Sequence, residues 1–270
     1  MRLCLGIAIA LCMATTVAAV AQADQETLAL VKDGKSRYVI VVPVDTSAEV
    51  ALAARELQGY LQQISGATLP IVSDHRAVAR REIILGNSRH LMDIHAGVSF
   101  RKLGDEGFVI RTVGAHLVIA GGPARGTLFG VYTFLEERLG CRWYTAAVSA
   151  VPHNPNIVIG RINDTQVPAT VYRNVYYNEV WDPMFSARLK LNSANISGLV
   201  DDTQRGVGSG NGWAHTIFSY LPPDKYFESH PEYFALRDGK RQPTEPCLSN
   251  PDVFRIVVEN LRTAMAANPK

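Results

Sequence analysis

Five strand-forming residues, Tyr38-Val-Ile-Val-Val42, are cut off by Pro43, and a helix-period apolar stripe begins only a few residues later. Val50, Ala53, Ala54, Leu57, Leu61 and Ile64 recur at spacings of three and four, which puts them on one helix face. Thr46 and Glu49 have the T-x-x-E form of a capping box, and Gly66 stands where the helix would end in the left-handed region. A buried strand feeding directly into an amphipathic helix can hide both apolar surfaces only by laying the helix on a sheet.

The next hundred residues repeat this theme. Leu69–Val72 and Glu82–Leu85 read as strands, and Phe108–Val113 with His116–Ala120 read as a hairpin turning at Gly114-Ala115. A second helix is expected from about Arg125 to Leu139, with Leu128, Val131, Tyr132 and Leu135 as its apolar positions and Gly140 ending it. Arg142-Trp143-Tyr144 begins a short strand, and Ile157–Ile159 forms another. The expected fold class is α+β, a sheet with two helices on one face, over residues 24–166. Gly121-Gly-Pro-Ala-Arg-Gly126 resembles a phosphate loop only in its glycines. It lacks the Gly-Lys followed by Ser or Thr, so a tight strand-to-helix turn is the expected role.

Residues 1–23 read as an address. Arg2 precedes an apolar run from Leu3 to Val20, and Ala21-Gln22-Ala23 has the small-x-small form of a signal peptidase site before Asp24. The other reading is an uncleaved anchor, since the run approaches the ~20 residues a span needs. Cleavage is preferred because a polar, acidic start follows. The expected location is secreted or periplasmic in a bacterium, with no membrane contact after cleavage. Cleavage removes Cys4 and Cys12 and leaves Cys141 and Cys247. An oxidising compartment would permit a disulfide between them, but two free thiols is the preferred reading. With 27 Lys+Arg against 25 Asp+Glu there is no basic face to argue for nucleic acid.

Prolines 152, 155 and 168 mark a linker, and a second domain is expected over residues 167–270. Thr170–Tyr177 is rich in strand formers, and Asp182-Pro183 opens a helix with proline in its first turn. Asn195-Ile196-Ser197 reads as another strand. Gly206, Gly208, Gly210 and Gly212 then alternate through a loop ahead of Trp213-Ala214-His215. Asn250 caps a last helix begun by Pro251, with Val253, Phe254, Val257, Leu261 and Met265 as its stripe. Strand, helix, strand, loop, helix is the opening of a parallel β/α architecture.

Certain short motifs carry a family resemblance. Ala53-Ala-Arg-Glu-Leu57 with Tyr60-Leu61, Ile84-Leu-Gly-Asn87, Arg125-Gly126 through Gly130-Val-Tyr132 to Phe134-Leu135, and Leu139-Gly-Cys-Arg-Trp-Tyr144 stand in order. They resemble the domain that precedes the catalytic barrel in bacterial α-glucuronidases and β-N-acetylhexosaminidases. Tyr172-Arg173, Gly212-Trp-Ala-His215, His230-Pro-Glu-Tyr-Phe234 and Cys247-Leu-Ser-Asn-Pro251 are similar to the bacterial domain of unknown function 4838. The resemblance implies a carbohydrate-active enzyme with a barrel-type catalytic region and a carbohydrate as its substrate. A complete (β/α)8 barrel takes ~250 residues, and about a hundred follow Thr170. The expectation is therefore the first part of such a barrel, incomplete, in an N-terminal fragment of a longer protein. The alternative is closure as a smaller α/β unit.

Glycoside hydrolysis usually needs two carboxylates, about 5–5.5 Å apart for retention or about 6.5–9.5 Å for inversion. Glu179, Asp182, Asp201, Asp202 and Glu232 are the candidate acids here. In the resembling α-glucuronidases the catalytic acids come from later strands, so no catalytic pair is assigned. Glu232 and His215 are named only as acid/base candidates. Arg173, Trp213 and His215 are the expected substrate contacts. A guanidinium can grip a sugar carboxylate, an indole offers a flat face to a ring, and an imidazole can donate to a hydroxyl. Against these stand an internal salt bridge for Arg173 and ordinary packing for Trp213. His230 is expected to order its turn. His215, His230 and Glu232 lack the spacing of zinc motifs, so no metal is expected, and no cofactor of any kind. The competing function is a non-catalytic carbohydrate-binding or scaffold protein.

Overall fold

The computed structural model describes residues 27–192 and 216–267. The chain divides into two compact units, residues 1–206 and 207–270. The signal-like residues 1–23, the strand expected at Asn195–Ser197, the glycine loop, Trp213 and His215 lie outside the described residues.

In the first unit β1 (Leu28–Val31) leads to β2 (Val39–Val42), the run that Pro43 ends. Helix α1 (Ala48–Ser65) follows, then β3 (Ile71–Ser73) and β4 (Glu82–Leu85). Two single-turn helices, α2 (His90–Asp93) and α3 (Phe100–Leu103), precede the hairpin of β5 (Phe108–Val113) and β6 (His116–Gly121). Helix α4 (Gly126–Glu137) is followed by the short strands β7 (Arg142–Trp143), β8 (Ser149–Ala150), β9 (Ile157–Ile159) and β10 (Asn163–Gln166). The main sheet has the order β10-β5-β6-β4-β2-β3. Strands β6, β4, β2 and β3 are parallel, while β5 and β10 continue the sheet antiparallel.

Strand alternation separates two cores. Ile40, Val42, Ile83 and Leu85 face α1 and α4, where Leu57, Leu61, Phe129 and Tyr132 complete the larger core. Val41, Ile84 and Val118 face the other way and are covered by Leu91, Ala96 and Phe100. The α+β class and the two long helices on one face are as expected. The segment from α2 to α3 covers the second face. The cap of α1 differs from expectation: Ser47, not Thr46, is the N-cap, and its hydroxyl accepts from the Val50 N–H at 3.3 Å. Gly66 ends the helix at φ 81°, with its N–H donating to the Gln62 carbonyl.

The glycines after β6 permit close backbone packing. A Cβ on Gly122 would run into the Gly104 carbonyl, and one on Gly126 into that of Gly107. The turn reading of this stretch therefore has a steric cause.

Residues 170–177, expected as a strand, form none; the chain is irregular there and enters a 3-10 turn at Asn178–Trp181. Strand formers alone do not make a strand, and here side chains satisfy the backbone: the Arg173 N–H donates to Asn192 Oδ1 at 2.7 Å. Helix α5 (Pro183–Arg188) begins as expected, with Asp182 Oδ1 accepting from the Phe185 N–H at 2.7 Å. Val180, Phe185, Ala187 and Leu191 join the larger core of the first unit.

The second unit holds α6 (Ile217–Tyr220), α7 (Pro223–Tyr226), the antiparallel pair β11 (Phe234–Arg237) and β12 (Lys240–Pro246), and α8 (Pro251–Ala267). Its core is Leu221, Tyr233, Phe234 and Val253. Asn250 caps α8 as expected, accepting from the Asp252 N–H at 2.9 Å. Of the expected stripe Val253 is buried, whereas Phe254 and Met265 are exposed. Among the described residues after 167 the only paired strands are this antiparallel hairpin, so a parallel β/α repeat is not seen in them.

Candidate functional site

Two polar centres are built in the first unit. One surrounds Glu106, which is 7% exposed. Its Oε1 accepts from Arg125 Nη2 at 2.6 Å and Nε at 2.8 Å. Its Oε2 accepts from Arg173 Nη2 at 2.5 Å and from Asn192 Nδ2 at 2.8 Å. Two guanidinium groups on one carboxylate compensate its desolvation and leave the cluster net positive. Arg173 also donates to the Lys190 and Thr170 carbonyls, and its guanidinium lies 5.7 Å from the Phe129 ring. A small cleft of about 280 Å³ opens beside it, walled by Phe108, Phe129, Pro168 and Leu191. The carboxylate that Arg173 grips in this structure is Glu106, so the internal salt bridge weighed from sequence is formed.

The second centre lies where β2, β4 and β6 end. The chain leaves β2 toward the face covered by α1, and leaves β4 toward the face covered by α2. Adjacent parallel strands whose connections depart to opposite faces leave a crevice at their carboxyl ends. Here it is a cleft of about 400 Å³, lined by Asp45, Glu49, Asp74, Asn87 and Arg89, with Val50, Pro123 and Ala124 as apolar wall. Asp74 braces the rim. Its Oδ1 accepts from the Val44 N–H at 2.9 Å, and its Oδ2 from Ser88 Oγ at 3.0 Å and the Arg89 N–H at 2.9 Å. Burial alone would raise the Asp74 pKa, but these hydrogen bonds and the Arg89 charge bring it below the ordinary value. Glu49 is 3% exposed, and its Oε1 has no hydrogen-bond partner.

In the second unit Pro231–Tyr233 is a 3-10 turn, as the motif suggested. His230 orders it: Nδ1 lies 2.9 Å from Glu232 Oε1, and the imidazole stacks on Tyr233 at 4.5 Å. That hydrogen bond draws the Glu232 pKa down, which favours the ionised form over an acid ready to donate. Among the described residues no three His, Cys, Asp or Glu side chains converge as a metal site. No helix among them is long and apolar enough to cross a membrane. Cys141 and Cys247 are both free thiols.

Sequence reasoning singled out neither Glu106 nor Asp74, and it read Glu49 only as half of a capping box and Arg125 only as a helix start and part of a family motif. The Glu106 partners lie 19, 67 and 86 residues away, so no local spacing marks them.

Residues 16–134 match the glycosyl hydrolase family 67 N-terminus, and residues 143–270 match the domain of unknown function DUF4838. The chain joins these two domains. It is thus a glycoside hydrolase-related protein. No curated protein sequence matches it. Among solved structures it is similar to a family GH115 4-O-methyl-α-glucuronidase with specificity for decorated arabinogalactans. That match has 18% identity and a TM-score of 0.36, and covers 54% of this chain and 19% of the other. A mutant Streptomyces plicatus β-hexosaminidase in complex with product matches at 16% identity and TM-score 0.37, over 84% of this chain and 52% of the other. The GH20 β-N-acetylhexosaminidase of Streptomyces coelicolor matches at 18% identity and TM-score 0.37, over 62% and 31%. The chain thus spans between about a fifth and about half the length of these structures.

Proposed function

We propose that the chain is part of an exported glycoside hydrolase acting on a poly- or oligosaccharide, made with a cleaved signal peptide at residues 1–23. The carrying observation is the tandem order of a family 67 N-terminal domain and a DUF4838 domain. In this reading the catalytic region is a (β/α)8-type barrel of which this chain holds at most the opening units. Trp213 and His215 serve as sugar contacts, and Arg173, anchored on Glu106, presents its remaining N–H groups to the cleft beside Phe129. His215 and Glu232 remain the acid/base candidates.

One observation favours the non-catalytic alternative, a carbohydrate-binding or scaffold protein. Asp182 is committed to capping α5, and exposed Glu232 is held by His230. The deciding experiment is a turnover screen of the whole gene product on aryl glycosides and uronic-acid oligosaccharides. Hydrolysis that falls sharply in His215→Ala supports the reading. Unchanged turnover in that variant removes His215 from the site.

A further inference from the structure

We propose that the cleft at the carboxyl ends of β2, β4 and β6 binds an uncharged sugar residue, with Glu49 accepting hydrogen bonds from its hydroxyl groups. This rests on the carbohydrate reading above for the class of ligand. The place and the chemistry come from the structure.

The place is the strand-end crevice between connections that leave for opposite faces, a position fixed by topology and kept open because neither loop can fold across it. Its size, about 400 Å³, falls in the range of ~300–1,000 Å³ usual for small-ligand pockets. The rim is held before any ligand arrives, because Asp74 ties the loop after β2 to the loop after β4. A pre-ordered rim lowers the entropy that binding must overcome.

The chemistry follows from the groups on the wall. Glu49 sits in the first turn of α1 with a buried oxygen that nothing satisfies. Leaving a buried carboxyl oxygen without a donor is costly, and a ligand hydroxyl in the cleft would supply one. Asp45, Glu49 and Asp74 outnumber the one guanidinium, Arg89, which disfavours a phosphate or a uronate. A bare cation is disfavoured as well, because the three carboxylates do not converge as a metal site. A neutral ligand rich in hydroxyl groups meets both conditions. The Val50, Pro123 and Ala124 wall suits the C–H face of a ring, while Asn87 and Arg89, which also line the cleft, can donate to its oxygens.

The test is ligand-observed saturation-transfer NMR with calorimetric titration of the 270-residue chain. The probes are N-acetylglucosamine, cellobiose, glucuronic acid and calcium chloride. Saturable binding of at least one neutral sugar is expected. Glu49→Gln keeps the size but loses the charge, and should weaken it by about tenfold or more, the effect of a hydrogen bond to a charged group. Ala124→Trp fills the cleft from its wall and should abolish binding while circular dichroism and melting stay unchanged, which covers the case of a poorly folded Glu49 variant. The proposal is overturned if the folded chain binds neither neutral sugar, if glucuronic acid or calcium binds instead, or if Ala124→Trp binds like the parent. Glycoside turnover by the whole gene product without sugar in this cleft would remove the cleft alone. Sugar in the cleft without turnover would remove the hydrolase reading alone.

Discussion

His90 stands between two acceptors: its Nδ1 is 3.0 Å from Glu82 Oε2 and its Nε2 is 2.9 Å from the Arg76 carbonyl. Both acceptors are met when both ring nitrogens carry hydrogen, so this geometry, at 1% and 2% side-chain exposure, favours the imidazolium form of His90. Burial alone would lower the His90 pKa, but the Arg76 carbonyl and Glu82 together raise it above the ordinary value. A raised folded-state pKa gives stability that is fully present below the unfolded value of about 6.5 and is lost as pH rises through the folded value. Burial lowers the pKa of neighbouring His116, which favours its neutral form. His90→Gln should therefore cost about 3 kcal/mol in urea unfolding at pH 6, as expected for a broken buried pair, and clearly less at pH 9. Equal losses at both pH values would show that the proton is not held there. The two thiols differ in the same physical way. Burial pushes Cys141 up to about 11, whereas Ser249 and Arg241 lower the partly exposed Cys247. A maleimide at pH 7.5 should label Cys247 within minutes and leave Cys141 unlabelled until the chain is denatured. Rapid double labelling of the native chain would contradict this burial.

At the scale of elements, the tight turn between β6 and α4 depends on glycine for space. Gly122→Ala should destabilise by about 2 kcal/mol, as overpacking does, read as a lower urea midpoint with an unchanged slope. No change would mean that the Gly104 carbonyl can move away. Elements whose signal is local were legible in the sequence: β2 stopped by Pro43, the β5–β6 hairpin, and helices α1, α4, α5 and α8 with their caps or ends. Neighbouring hydroxyls were not separable by pattern, so the α1 cap was placed on Thr46 when Ser47 makes the bond. The miss at 170–177 has a longer-range cause. Tyr172, Val175 and Tyr177 favour a strand, but a strand needs an edge to pair with, and here the Asn192 side chain binds the backbone at Val171 and Arg173 while Glu106 holds the Arg173 side chain. The strand-end cleft was invisible for a similar reason, being assembled from four segments up to about eighty residues apart.

For the molecule as a whole, the stretch that follows β10 inside the DUF4838 match is not a free linker. Residues 168–192 are fastened to the family 67-like domain by Glu106 and by Phe185 and Leu191 in its core. Glu106→Gln leaves Arg125 and Arg173 without their shared charge, and should cost about 3 kcal/mol. The same variant should speed tryptic cleavage within residues 168–192, and cleavage at the parental rate would show that the clamp is dispensable. The proposed role of this two-domain arrangement is the breaking of glycosidic bonds. The most direct measurement is release of reducing sugar, or of aryl alcohol, from uronic-acid oligosaccharides and aryl glycosides by the purified whole gene product. Turnover above the uncatalysed rate is expected on at least one of these substrates, and its loss in His215→Ala. No turnover on any of them by a folded protein would contradict it.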